Sequence, residues 1–274
     1  MSVLDSFLSD KDDRIKNKQI KKAPFGWIGG KMYLAQQLNE IMPVRETFVD
    51  VFGGSGVVLL NRTKSMREVF NDRNSGITDF YLTLQEDYQW LVDKINNTIF
   101  SKEMFYHYVN DWKKIKTRRE RAFAWYYTIR CSWAGKGLVF ATSRVKVASR
   151  NLYNNLKLFP EIHQRLKGVI IENNSYGELM DFYDSPKTVF YCDPPYMNCD
   201  QACYEFNIDH EKFLNKVFEM EGYVAVSGFD SNLYLSYDWS EIIPLSMRYN
   251  MRRDSTEKHS QERQELLFIK LEGK

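Results

Sequence analysis

TFVDVFGGSGVVLLNR, residues 47–62, decides the fold. Thr47-Phe-Val-Asp-Val-Phe52 is an apolar run of strand length, Gly53-Gly-Ser-Gly56 breaks it, and Val57-Val-Leu-Leu-Asn-Arg62 continues as a helix. Strand, glycine turn, helix is the opening of a nucleotide-binding βαβ unit. Glycines let the backbone come close to a ligand, and the helix that follows offers unpaired N–H groups. Taken alone, the turn leaves the ligand open among dinucleotides, phosphates and adenosyl groups. Downstream, Glu68-Val-Phe-Asn-Asp72 is a second short strand that ends on an acid, 16 residues past Gly56. An acid there accepts hydrogen bonds from ribose hydroxyls; the plainer role is a cap for the next helix.

The α/β alternation continues on both sides of an interruption. A helix is expected over 79–97. Val169-Ile-Ile171 is a strand, Tyr176–Phe182 a helix, Thr188–Cys192 a strand, His210–Met220 a helix and Tyr223–Ser227 a strand. Ile242–Met247 and Glu265–Ile269 form an antiparallel hairpin around a polar loop, 248–263. Between the two α/β stretches lies a mostly helical segment with many aromatics, followed by a glycine-bearing loop over 131–150 and a helix near 155–166. The expected organisation is a polar leader at 1–22, an α/β domain formed by 23–100 and 168–274, and an insertion at 101–167.

Charge separates the insertion from the rest. Residues 112–168 carry 14 Lys and Arg against Glu120 and Glu161, a net +12 in a chain whose total is +2, so the remainder is net −10. A basic block in an acidic protein is the footprint of a polyanion partner; the bland alternative is a solvated helical face. Apolar residues make up 43% of the 274, enough for a sizeable core, and most of the Tyr and Phe belong to it. Four cysteines are too few for a disulfide scaffold of this length and suit a reducing compartment. Cys199 and Cys203 lack the paired spacing of a zinc site, so no metal is expected. The N-terminus has no apolar core of a signal peptide, and no run approaches the ~20 apolar residues of a membrane span. A cytoplasmic protein is expected, with no membrane partner.

Val189-Phe-Tyr-Cys-Asp-Pro-Pro-Tyr196 brings a buried strand to an end on an acid. Open α/β sheets bind ligands at the carboxyl ends of their strands, which is where Asp193 falls. Pro194 and Pro195 fix φ near −65° and supply no N–H donors. What remains is an acceptor edge, the Asp193 carboxylate and the Pro194 carbonyl, beside the flat face of Tyr196. Two acceptors and a ring suit a planar substrate with an NH₂ group. An aromatic amine is a weak nucleophile because its lone pair is delocalised into the ring. Accepting both N–H bonds favours a more pyramidal nitrogen, and the stabilisation grows as the reaction proceeds. Upstream, Pro24-Phe-Gly-Trp-Ile-Gly-Gly-Lys31 is expected to open a helix on its lysine. A cation there opposes the macrodipole, so a ligand or a carboxylate should use it.

These pieces together resemble the DNA adenine-N6 methyltransferases of the Dam type. FGWIGGK at 25–31, DVFGGSG at 50–56, FNDRN at 70–74, a basic insertion and DPPY at 193–196 stand in that family's order. Arg121-Ala-Phe-Ala-Trp-Tyr-Tyr-Thr-Ile-Arg130 is similar to its RAxxFYYLxR segment. The resemblance implies a Rossmann-like S-adenosylmethionine-dependent methyltransferase sheet with an inserted, mostly helical DNA-recognition domain. It implies S-adenosylmethionine as cofactor, S-adenosylhomocysteine as product and double-stranded DNA as partner, bound as a monomer or a dimer. Trp27, Lys31, Asp50, Phe52, Gly53, Asp72 and Asp193 would contact the cofactor, with Lys31 beside its carboxylate. Asp193, Pro194 and Tyr196 would hold a flipped adenine. Arg118, Arg119, Arg121, Arg130, Lys136 and Arg144 would grip phosphates. A nucleoid-associated enzyme, or one acting in a host cytoplasm if phage-encoded, would follow. The loop Cys131–Arg144 departs from the RxNxxGxFNVPxG-like pattern of GATC readers. The alternatives are adenine methylation in RNA, glutamine methylation in protein, and a DNA-binding module with an inactive methyltransferase fold. Asp193, where glutamine-directed relatives carry Asn, disfavours the second, and the retained motif residues disfavour the third.

Overall fold

The computed structural model describes residues 23–142, 150–197, 207–245 and 264–273. The leader 1–22, Arg144, Cys199, Cys203 and the loop 248–263 lie outside the described residues.

Seven described strands form one sheet: β1 (Thr47–Asp50), β2 (Arg67–Asn71), β3 (Val169–Glu172), β4 (Thr188–Cys192), β5 (Tyr223–Phe229), β6 (Glu241–Pro244) and β7 (Glu265–Lys270). Their order is β3-β2-β1-β4-β5-β7-β6. The first five in that order are parallel, and β7 runs antiparallel to both β5 and β6. This is the Rossmann-like arrangement expected of a methyltransferase sheet, and the terminal hairpin is present. β1 and β4 are buried along their whole length. Covered on both faces, they read in sequence as apolar runs rather than as alternation. The chain turns from β1 towards β2 and β3, then returns on the other side through β4 and β5. The order thus reverses between β1 and β4, and the crevice of an open α/β sheet lies at their carboxyl ends.

The described α-helices are α1 (Ala35–Ile41), α2 (Val57–Leu60), α3 (Ser75–Asn96), α4 (Lys102–Asp111), α5 (Arg118–Cys131), α6 (Arg150–Tyr153), α7 (Phe159–Leu166), α8 (Tyr176–Tyr183), α9 (His210–Glu219) and α10 (Asn232–Leu235). Local chemistry starts several of them. Asn74 Oδ1 accepts from the Gly76 N–H at the start of α3, and Ser101 and Asp209 cap α4 and α9. Ser175 accepts from the Glu178 N–H and donates to its carboxylate at the start of α8. α3 is kinked at Asp87, whose φ of −150° and ψ of 72° are not helical. The helix expected to open at Lys31 begins four residues later, at Ala35. Lys31 sits in a turn whose carbonyl accepts from Leu34 and Ala35.

Period-2 alternation splits the core across the sheet. Phe48, Val189 and Tyr191 face one layer; Val49, Phe190 and Cys192 face the other, with α8 and α9. The first layer contains α2 and α3 and the helices of 101–167 in one apolar cluster. Phe80 and Tyr126 stack at 5.2 Å, and Phe25 meets Trp125 edge to face at 5.0 Å. At Gly76 a Cβ would come within 2.1 Å of the Trp125 ring, so α5 presses directly on the backbone of α3. The aromatics of the 121–130 segment are buried here. Each contributes roughly 1.5–3 kcal/mol of burial, so the basic segment is joined to the sheet through its own core.

Candidate functional site

Four acids from different strands meet at the carboxyl edge of the sheet. Asp50 ends β1, Asp72 follows β2 and Asp193 follows β4. Glu265 is the first residue of β7. Because β7 is antiparallel, its beginning pairs with Phe229, the end of β5, and the acid arrives at the same edge as the others.

Lys31 ties this edge together. Its ammonium lies 2.7 Å from Oδ1 and from Oδ2 of Asp193, 3.2 Å from Oε1 of Glu265 and 2.8 Å from the Gly29 carbonyl. The Tyr196 hydroxyl donates to Glu265 Oε1 at 2.5 Å. The same ring packs edge-on against Phe229 at 4.7 Å, with Lys31 Nζ 4.9 Å from its centroid. The Asp193 side chain is only 17% exposed, because Lys31, Glu265 and Tyr196 close around it. Burial pushes the Asp193 carboxyl above its ordinary range, and the Lys31 ammonium partly restrains that rise. Burial works against the Lys31 charge, but Asp193 and Glu265 outweigh it and raise the lysine. Beneath, the Tyr191 hydroxyl pairs with Ser227 Oγ at 2.9 Å.

Asp50 is 1% exposed, and its Oδ1 has no hydrogen-bond partner among the described residues. Burial, then the negative charges of Asp193 and Asp72, push its carboxyl well up. A buried acceptor without a donor is expensive; a cationic or N–H-bearing ligand in the crevice would satisfy it. Asp72 clasps two local structures. Its Oδ2 accepts from Gly54 N at 2.8 Å and its Oδ1 from Asn74 N at 2.8 Å, so it fixes the glycine turn against the start of α3. The ribose and capping alternatives are compatible, since a carboxylate offers about four acceptor sites. The glycines answer to the protein's own packing. A Cβ on Gly53 would fall 2.2 Å from the Phe70 ring, and Gly54, at φ +51°, would meet the Trp27 indole at 2.8 Å.

Two cavities adjoin here. The larger, about 450 Å³, is lined by Lys31, Asp50, Gly53, Asp193, Tyr196 and Glu265, among others. The second, about 250 Å³, is lined by Asp72, Asn74, Asn174, Ser175, Tyr176 and Ile208, among others. Trp27, Phe52 and Asp193 border both. All the cofactor candidates named from sequence therefore lie on one continuous crevice, and Pro194 lines its larger half. A ligand with a hydroxyl-bearing half and a cationic half fits it: Asp72 in one cavity, and Asp50 with its orphaned oxygen in the other. Among the described residues no group of His, Cys, Asp and Glu is placed to hold a metal ion. Nor is any described helix long and apolar enough to cross a membrane.

The basic candidates divide. Arg121 is held by Asp79 of α3, with Nε 2.7 Å from Oδ2, and donates to the carbonyls of Ile115 and Lys116. Arg118 forms an ion pair with Glu86. Both therefore knit the insertion to α3, and acids from outside the block offset part of its +12. Arg165 does likewise with buried Glu68. Arg119 is exposed, with its guanidinium 5.0 Å from the Trp90 ring centroid. Lys136 is exposed in a loop shaped by positive φ at Ala134, Gly135 and Gly137, and it lines the larger cavity. Arg130 is half-buried at the end of α5.

Glu265 was missed as a site residue. The only signal was an acid opening the strand ELLFIK, ahead of four apolar residues. The link from Lys31 to Asp193 spans 162 residues and has no local signature.

A family model described as D12 class N6 adenine-specific DNA methyltransferase matches residues 27–250. The chain is similar to modification methylase StsI of Streptococcus sanguinis, 29% identical over 195 residues, covering 66% of this chain and 29% of that protein. It is also similar to the DNA adenine methylase of Vibrio cholerae serotype O1, 27% identical over 193 residues, covering 64% of this chain and 65% of that one. The match thus spans less than two thirds of the length of either relative.

Proposed function

The chain belongs to the D12 class N6 adenine-specific DNA methyltransferase family, and on that premise we propose that it methylates the exocyclic amine of adenine in double-stranded DNA. The observation that carries this reading is the convergence of Asp193, Pro194 and Tyr196 with Asp50 and Asp72 on one crevice. S-adenosylmethionine, when bound, supplies a methyl group on a positively charged sulfur. Asp72 would accept from its ribose hydroxyls. Asp50, with an unpartnered buried oxygen, would accept from its ammonium, and Trp27, Phe52 and Gly53 would line its path. The excess of carboxylate over ammonium at this edge suits a cationic ligand.

Asp193 and the Pro194 carbonyl would accept the two amine protons of adenine while the Tyr196 ring stacks on its face. In the transfer the amine lone pair forms the N–C bond, the C–S electron pair stays on sulfur, and the nitrogen sheds one proton. Asp193 is well suited to receive it: burial raises its basicity, and the Lys31 ammonium restrains that rise. Adenine in a duplex hides its amine, so the base must be flipped out at roughly a few kcal/mol. Phosphate contacts from 101–167 would offset that. Arg118, Arg119, Arg121, Arg130, Lys136 and Arg144 are the candidates for them, and Arg118 and Arg121 are also ion-paired within the protein. Lys136 lines the larger cavity, and DNA would lie on its side of the crevice.

The direct test is to express the protein in cells whose DNA lacks N6-methyladenine and to sequence that DNA with modified bases identified. N6-methyladenine at a recurring sequence is expected. Methyl groups found only on cytosine, or only in RNA, would reject the proposal.

A further inference from the structure

We propose that Glu265 is a positioning residue for methyl transfer, holding the Tyr196 ring and the Lys31 ammonium from the wall opposite Asp193. The inference rests on the reading of Asp193 and Tyr196 as the amine-holding corner. Nothing local in the sequence gives an acid at the start of β7 this task; the antiparallel register with β5 delivers it to the edge.

Glu265 is nearly buried, at 8% side-chain exposure, and both its contacts are to residues of that corner. A phenol ring turns about its Cα–Cβ bond unless something holds its far end. The 2.5 Å hydrogen bond to Glu265 holds it there, and Phe229 blocks rotation from the side. The ring face is thereby set before any base arrives. Lys31 has three N–H donors, and these meet the Gly29 carbonyl, Asp193 and Glu265. The ammonium lies 2.7 Å from both Asp193 oxygens, and the pull of Glu265 from 3.2 Å weakens its hold on the oxygens an incoming amine must reach.

The groups around Asp193 make the idea measurable. It is faced by Lys31 from the 27–34 turn, Glu265 from β7, Asp50 from β1, Tyr191 and Cys192 from β4, Tyr196 beyond it, and Tyr234 from α10. Besides burial, Lys31 lowers the Asp193 carboxyl and Glu265 raises it. Removing either should therefore move Asp193 in opposite directions.

The test titrates Asp193 by carbon-13 NMR of its carboxyl in the full chain, without cofactor or DNA, and measures steady-state methylation in parallel. In Glu265→Gln, which keeps an acceptor for the Tyr196 hydroxyl but not the charge, the Asp193 midpoint should fall; in Lys31→Met it should rise. Turnover should drop about 10-fold in Glu265→Gln and about 100-fold in Glu265→Ala, with KM for DNA changed less than about 3-fold, as expected for misplacement of reacting groups. Glu265→Gln is nearly isosteric, so it remains informative if Glu265→Ala does not fold. An unmoved Asp193 midpoint in Glu265→Gln together with wild-type turnover would overturn the inference while leaving the proposed function intact. If the unaltered chain leaves adenine in DNA unmethylated, the functional reading fails, and the NMR midpoints still decide whether Glu265 governs Asp193.

Discussion

The carboxyl edge of the sheet and the basic stretch 101–167 handle charge in opposite ways. At the edge, Asp50, Asp72, Asp193 and Glu265 come from four distant parts of the chain, and two of them, Asp193 and Glu265, share one ammonium. In the basic stretch, cations are paired with acids from outside it: Arg118 with Glu86, Arg121 with Asp79, Arg165 with Glu68. The first arrangement concentrates charge where the chain places little locally. The second dilutes charge that is dense along the chain. A run of cations therefore overstates the field it projects, and scattered acids understate the one they build.

Substitutions can break this contrast. Asp193→Ala should have the largest effect, a loss of methyl transfer of about 10³-fold or more, since both the amine acceptor and one carboxylate partner of Lys31 disappear. Retained cofactor binding by calorimetry would show that the fold survives, and near-normal turnover would remove the amine-holding role. Next, Asp72→Ala should weaken cofactor binding about 10- to 100-fold, the range for hydrogen bonds to a charged group. DNA affinity should change far less, and an unchanged cofactor affinity would contradict the role given to Asp72.

Within the basic stretch the effects should separate. Arg121→Met leaves Asp79, a mostly buried acid, without its partner and should cost about 1–3 kcal/mol in chemical denaturation. Arg119→Met should leave stability nearly unchanged and reduce the salt dependence of DNA binding by about one counterion. Equal stability losses in the two variants would erase the distinction. The smallest effect concerns pH. Burial raises the Asp193 carboxyl, so activity that needs it ionised should fall, on acidification, at a higher pH than an ordinary carboxylate would dictate. A pH–rate profile flat down to the usual carboxylate range would show that Asp193 is not the group that matters.

Much of the edge was legible because strand ends carry their own punctuation. Prolines after Asp193 and glycines after Phe52 mark where strands stop, and ligands bind where parallel strands stop. The glycines themselves were explained differently by the structure: Phe70 and Trp27 occupy the space a Cβ would need at Gly53 and Gly54. Lys31 stood out as a cation in need of a partner, and the acids it meets lie 162 and 234 residues away.

The amino-acid order by itself determined the sheet, the turn after its first strand and the acid–proline–proline–tyrosine corner, because backbone conformation and hydrophobic period act over a few residues. Which charges meet was decided only in three dimensions. Parallel crossovers and one reversed strand bring together groups the chain keeps far apart, and Coulomb interactions depend on that distance through space rather than on position along the backbone.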